Sequence, residues 1–96
     1  MTAQEMRDHI AEIDEQVLMA DGFENALLGY ARQFNTVMAL YDRDKCIEIL
    51  MKRDGMTVEE AEEFFEFNVQ GASVGEHTPA FAVILTNRSS DEVEAC

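Results

Sequence analysis

The chain has 96 residues, 47% of them hydrophobic, and its 20 Asp and Glu against 7 Lys and Arg give a formal net charge of -13. That length makes one domain with a single core, and that hydrophobic share is too high for a disordered acidic tail. The charge excludes direct binding to nucleic acid or an anionic membrane, since phosphate contacts need clustered Lys and Arg to release counterions, and it predicts a stability that rises with salt.

In chain order, Met6, Ile10, Ile13 and Val17 recur at helical spacing among polar residues, which predicts an amphipathic helix from about Thr2 to Met19, ended by Asp21-Gly22. His9, beside Asp8, falls on its solvated face. Two short apolar runs follow, Ala26-Leu27-Leu28-Gly29-Tyr30 and Thr36-Val37-Met38-Ala39-Leu40-Tyr41, separated by Gln33-Phe34-Asn35. They fit two strands joined by a turn; the alternative is a helix through Glu24 to Arg32, which Ala and Leu favour.

Asp42 or Asp44 then caps a helix whose apolar positions are Cys46, Ile47, Leu50 and Met51, with Lys52 and Arg53 in its last turn and Gly55 as its left-handed terminus. Met56 is placed to fold back onto the helix end. Thr57-Val58-Glu59-Glu60 is a capping box, so a second helix starts at once. The expected core side of this helix is Val58, Ala61, Phe64, Phe65 and Asn68-Val69. The opposite side carries Glu59, Glu62, Glu63 and Glu66 at i, i+3, i+4 and i+7, so four carboxylates stand on one face. Residues 43 to 70 therefore read as a helical hairpin. Beyond a Gly-rich loop, Ala80-Phe81-Ala82-Val83-Ile84-Leu85 predicts a strand buried on both faces or central in a small sheet. Residues 1-85 make the globular domain and residues 86-96 a polar C-terminal tail.

The hairpin does not read as a DNA-binding helix-turn-helix, because the carboxylates of its second helix would repel phosphates. Asp42-Arg43-Asp44 opens like a calcium loop, but Ile47 stands where glycine is needed and Arg53 where glutamate is needed. Cys46 lies on the apolar side of its helix, where a thiol is a small core residue rather than a nucleophile for His77. Two distant histidines and no paired cysteines make no zinc site. Cys46 and Cys96, without a CxxC pattern, fit a reducing compartment. No apolar run approaches the roughly 20 residues of a membrane span, no secretory leader is legible, and the expected location is the cytoplasm.

Several stretches carry a resemblance: Ala20-Asp21-Gly22-Phe23 with Ala26 and Gly29, Tyr41-Asp42, Lys45-Cys46-Ile47, Ile49-Leu50-Met51, and Arg53-Asp54-Gly55-Met56-Thr57. Glu59-Glu60-Ala61, Phe65-Glu66-Phe67-Asn68, Gly71-Ala72, Gly75-Glu76 and Thr78-Pro79-Ala80-Phe81 continue it. Over residues 20 to 81 the chain resembles a family of short, uncharacterised acidic proteins encoded mainly by bacteriophages and prophages. The resemblance implies a viral origin and no catalytic residue. Within this segment Asn68 stands one helical turn from Phe65, where its amide is expected to reach the backbone of the Gly71 to Thr78 loop. Ser73, Glu76 and His77 would then form an ordered surface near the end of the acidic helix.

The expectation is thus a small α+β domain, a three-stranded sheet packed against an N-terminal helix and a helical hairpin. Its expected function is that of a non-enzymatic, phage-type binding protein without cofactor or metal. It would block the basic, nucleic-acid-binding surface of a host defence protein, as an anti-CRISPR or anti-restriction inhibitor does. The partner-binding residues would be Glu59, Glu62, Glu63 and Glu66, with Asp54 and Glu76 at the margins. One rival is a small-molecule-binding protein or minor enzyme using the Gly71-Pro79 loop, His77 and the Asp21-Gly22-Phe23 turn, which for an anionic ligand needs Arg32, Arg43 or Lys45 to converge. Another is a homo-oligomeric structural protein with Phe67 at its interface.

Overall fold

The structure, a computed structural model, describes residues 1–70, 75 and 77–85, with Gln70 described by its backbone alone. Thr2 and Glu5 exchange capping bonds: Thr2 Oγ1 accepts from Glu5 N at 3.1 Å and Glu5 Oε1 accepts from Thr2 N at 2.7 Å. They start α1 (Ala3–Ile13), which stops well short of the predicted Met19. Asp14 leaves helical geometry (φ -155, ψ 109), and its carboxylate accepts from Gln16 N at 2.9 Å, a local turn that competes with another helical turn. The segment that follows is irregular, yet Val17, Met19 and Ala20 still pack on the core. It is pinned where the Tyr41 hydroxyl accepts from Ala20 N at 2.8 Å.

After a 3₁₀ turn at Glu24–Ala26 the chain forms an antiparallel hairpin, β1 (Leu27–Gln33) and β2 (Thr36–Asp42). The strand reading of this region holds because Val37, Ala39 and Tyr41 are buried at alternate positions, a period that a helix does not provide. The register slips between Leu27 and Gly29, so Leu28 forms a bulge. At the hairpin tip Phe34 sits at φ 58, a left-handed conformation rarely taken by bulky residues.

The helical hairpin follows as anticipated. Asp42 Oδ1 accepts from Lys45 N at 3.3 Å and caps α2 (Arg43–Asp54), which ends at Gly55 in the left-handed region (φ 69). Thr57 and Glu60 form the reciprocal capping box that starts α3 (Val58–Phe65), which widens into a π-helical turn over Glu66–Gln70. The last element, β3 (Ala80–Ala82), pairs parallel to β2, giving the strand order β1-β2-β3. The predicted central strand is therefore a three-residue edge strand, and Val83, Ile84 and Leu85 are exposed. The hairpin occupies one side of β2 and the helical crossover delivers β3 to the other, so β2 takes the centre.

The α+β architecture expected from the sequence is the one observed. Its core gathers Ile10 of α1, Phe23 and Ala26 before the sheet, Ala39 and Tyr41 of β2, Cys46, Ile47 and Leu50 of α2, and Ala61 and Phe65 of α3. Phe65 stands edge-on to Phe23 (centroids 6.3 Å apart) and to Phe81 (4.9 Å), and Phe81 lies 5.6 Å from the Tyr41 ring. Among the described residues no helix is long and apolar enough to cross a membrane. The tail at 86–96 lies outside the described residues.

Candidate functional site

The contact that orients α3 is the full burial of Ala61 and Phe65, one turn apart. With that line turned inward, Glu59, Glu62, Glu63 and Glu66 are turned outward, and all four are exposed. Val58 and Phe64, expected in the core, are 42% and 38% exposed. They fall to either side of the Ala61 to Phe65 line, and a helix of eight residues that contacts the core along one narrow line leaves such flanks in solvent.

The arginines decide which of these carboxylates present uncompensated charge. Arg43 Nη2 lies 3.3 Å from Glu66 Oε2, with its guanidinium 5.7 Å from the Phe65 ring centre. Arg53 donates Nε and Nη2 to the two oxygens of Asp54 at 3.2 and 3.1 Å, donates Nη1 to Gly22 O at 3.2 Å, and stacks 5.6 Å over Phe23. Glu66 and Asp54 thus face an arginine that also ties two parts of the fold together. Glu60 is engaged in its capping box. Among the described residues no Lys or Arg lies within ion-pair distance of Glu59, Glu62 or Glu63. Glu76 lies outside the described residues.

Arg7 and Lys45 follow the same habit. Arg7 contacts Glu24 at 3.4 Å and Asp21 at 3.7 Å, and Lys45 contacts Glu48 at 3.0 Å. The Gly22 N–H holds the Glu24 carboxyl below the usual carboxylate range, followed by its own backbone amide, with Arg7 adding to the effect. Because most positive charge is spent on intramolecular pairs, the outer face of α3 carries a negative field with little local compensation.

Beside the carboxylate row runs a groove of about 560 Å³ lined by Met56, Glu60, Glu63, Phe64, Phe67 and Asn68. The π turn presents Phe67 outward, 75% exposed. Asn68 Nδ2 donates to Phe64 O at 3.2 Å, back onto its own helix; residues 71–74 and 76 of the loop that its amide was expected to reach lie outside the described residues. Sequence reading placed Phe64 in the core and missed this groove. The signal for it was present: Glu60, Glu63, Phe64 and Phe67 recur at i, i+3, i+4 and i+7.

The rival pocket is assembled only in part. A cleft of about 510 Å³ brings Asp21 and Phe23 together with Pro79, but its other walls are Leu18, Met19, Ala20, Asn68, Val69 and Phe81. His77 is not among them; its Nδ1 lies 3.2 Å from Val37 O and 4.0 Å from Asp14 Oδ2. Residues 71–74 lie outside the described residues. The named cations do not converge: Arg43 sits on Glu66, Arg32 is exposed on β1, and Lys45 joins Lys52 and Arg53 around a separate cleft of about 620 Å³. Cys46 is fully buried, and burial pushes its thiol up to about 12, which leaves it protonated and inert at neutral pH. Among the described residues no group of three or more His, Cys, Asp or Glu could hold a metal ion. No family model, curated protein or solved structure matches the chain.

Proposed function

We propose that the protein is a non-enzymatic binding protein of phage type. In this reading it acts in the host cytoplasm by covering the basic, nucleic-acid-binding surface of a host defence protein, as an anti-CRISPR or anti-restriction inhibitor would. The observation that carries it is the uncompensated outward row Glu59, Glu62 and Glu63, extended by Glu66, on a chain that spends Arg7, Arg43 and Arg53 on internal pairs. Such a row does not reproduce base edges, and it does not need to. Sites for nucleic acid draw much of their affinity from phosphate contacts, which a set of carboxylates on a folded scaffold competes for directly. A one-sign surface also speeds encounter with a basic partner.

The test is capture from bacterial lysate on the tagged protein at low salt, with stepwise salt elution, alongside the variant Glu59→Gln/Glu62→Gln/Glu63→Gln. The expected result is one stoichiometric nucleic-acid-binding protein, released by moderate salt, displaced by added DNA or RNA and lost with the variant. An empty eluate, or a partner indifferent to salt, nucleic acid and the variant, would sink the reading.

A further inference from the structure

Beyond its charge, the surface of α3 offers an apolar foothold. From the groove geometry we infer that the partner brings one large apolar side chain flanked by Lys or Arg, and that this anchor seats between Met56, Phe64 and Phe67 while the cations reach Glu60 and Glu63. The inference rests on the proposed acidic binding face and names what that face recognises. Phe67 is 75% exposed beside the half-open Phe64, so the groove keeps apolar surface in water next to the row of Glu59, Glu62 and Glu63. Its rim is chemically one-sided among the described residues: Glu60 and Glu63 line it together with the amide of Asn68, and no Lys or Arg does. A second copy of this chain, itself at -13, is repelled from such a rim, whereas a basic segment with an apolar centre matches both parts. Glu63 belongs to both the carboxylate row and the groove, so the two surfaces are continuous. Pure phosphate mimicry needs no aromatic side chain; an anchored basic segment does.

Two synthetic peptides of about 12 residues serve as probes, one Lys- and Arg-rich with a central Leu-Phe pair, the other identical with Ala-Ala at the centre. Binding is read by fluorescence anisotropy and by amide shift mapping. The expected result is that the Leu-Phe peptide binds about tenfold tighter or better, the usual yield of burying a large apolar side chain, with shifts centred on residues 56–68. Phe67→Ser removes that advantage and leaves the Ala-Ala peptide unaffected; because Phe67 is exposed, this variant keeps its fold. Glu63→Gln weakens both peptides and flattens their salt dependence. Equal binding of the two peptides, an advantage that survives Phe67→Ser, or shifts centred elsewhere would overturn the anchor while leaving the acidic-face reading standing. Failure of both peptides to bind would overturn the two together. A dimer in sedimentation equilibrium that Phe67→Ser dissolves would assign the groove to a second copy and overturn the inference.

Discussion

The proposed binding face of α3 carries a cost in stability, and Glu62→Gln/Glu63→Gln exposes it. Every like-charge neighbour at i+3 or i+4 along α3 involves one of these two residues: Glu59–Glu62, Glu59–Glu63, Glu60–Glu63, Glu62–Glu66 and Glu63–Glu66. The two pairs with Glu66 count for little, because Arg43 at 3.3 Å already offsets that carboxylate. Each of the other three costs about 0.2–0.5 kcal/mol at low ionic strength. Gln matches Glu in helix propensity and length, so nothing is lost in return. The gain, discounted for solvent screening of exposed groups, is about 1 kcal/mol, or about 4–8 °C in Tm for a domain of this size. Thermal and urea unfolding followed by circular dichroism, in about 20 mM and about 500 mM NaCl, reads it directly. The variant is expected to exceed the parent at low salt and to approach it at high salt, where the screening length falls to a few Å. Equal or lower stability at low salt, or a gain untouched by salt, would refute the argument that the row is electrostatically strained.

Three further outcomes follow from the packing. Tyr41→Phe removes only the hydroxyl but strands Ala20 N–H, now held at 2.8 Å, and should cost about 1–2 kcal/mol in urea unfolding while speeding hydrogen exchange at Ala20; protection at Ala20 equal to the parent's would contradict it. Phe34→Gly relieves a left-handed Phe (φ 58) that is 92% exposed and packs on nothing; after Gly's larger unfolded-state entropy is subtracted, the net gain should be about 0.5–1 kcal/mol, and a loss of stability would count against the hairpin geometry. For Cys46, raised by burial from an ordinary value of 9.0 to about 12, the unfolded thiol ionises first, so its contribution to stability is complete below about pH 9 and falls as pH rises toward 12. In a Cys96→Ser background the loss per pH unit above 9 should be shallower in Cys46→Ala by up to about 1.4 kcal/mol, and identical slopes would refute the burial argument.

Local chemistry that needs only near neighbours was legible in the chain. Asp42, Gly55 and the Thr57–Glu60 box mark the ends of the helical hairpin, since caps act within one turn. The spacing of Glu59, Glu62, Glu63 and Glu66 declares a carboxylate face, whereas the run from Thr36 to Tyr41 is apolar almost throughout and shows its strand period only in the burial of Val37, Ala39 and Tyr41. Other matters depended on partners far away in sequence. The first helix ends at Ile13 because the Asp14 turn and the Tyr41 hydroxyl hold the chain irregular beyond it. The apolar run from Ala80 becomes an edge strand because β2 already has the hairpin on one side. Asp54 and Glu66, indistinguishable from their neighbours in sequence, are offset by Arg53 and Arg43, while Glu59, Glu62 and Glu63 are not. Phe64 and Phe67 line a groove because α3 meets the core only along Ala61 and Phe65. Sequence alone determined where charge lies and where the helical hairpin begins and turns, because both follow from residue type and short-range spacing. Tertiary structure decided which charges are left uncompensated and which aromatics stay in water, because pairing and burial are settled by residues that only the fold brings together.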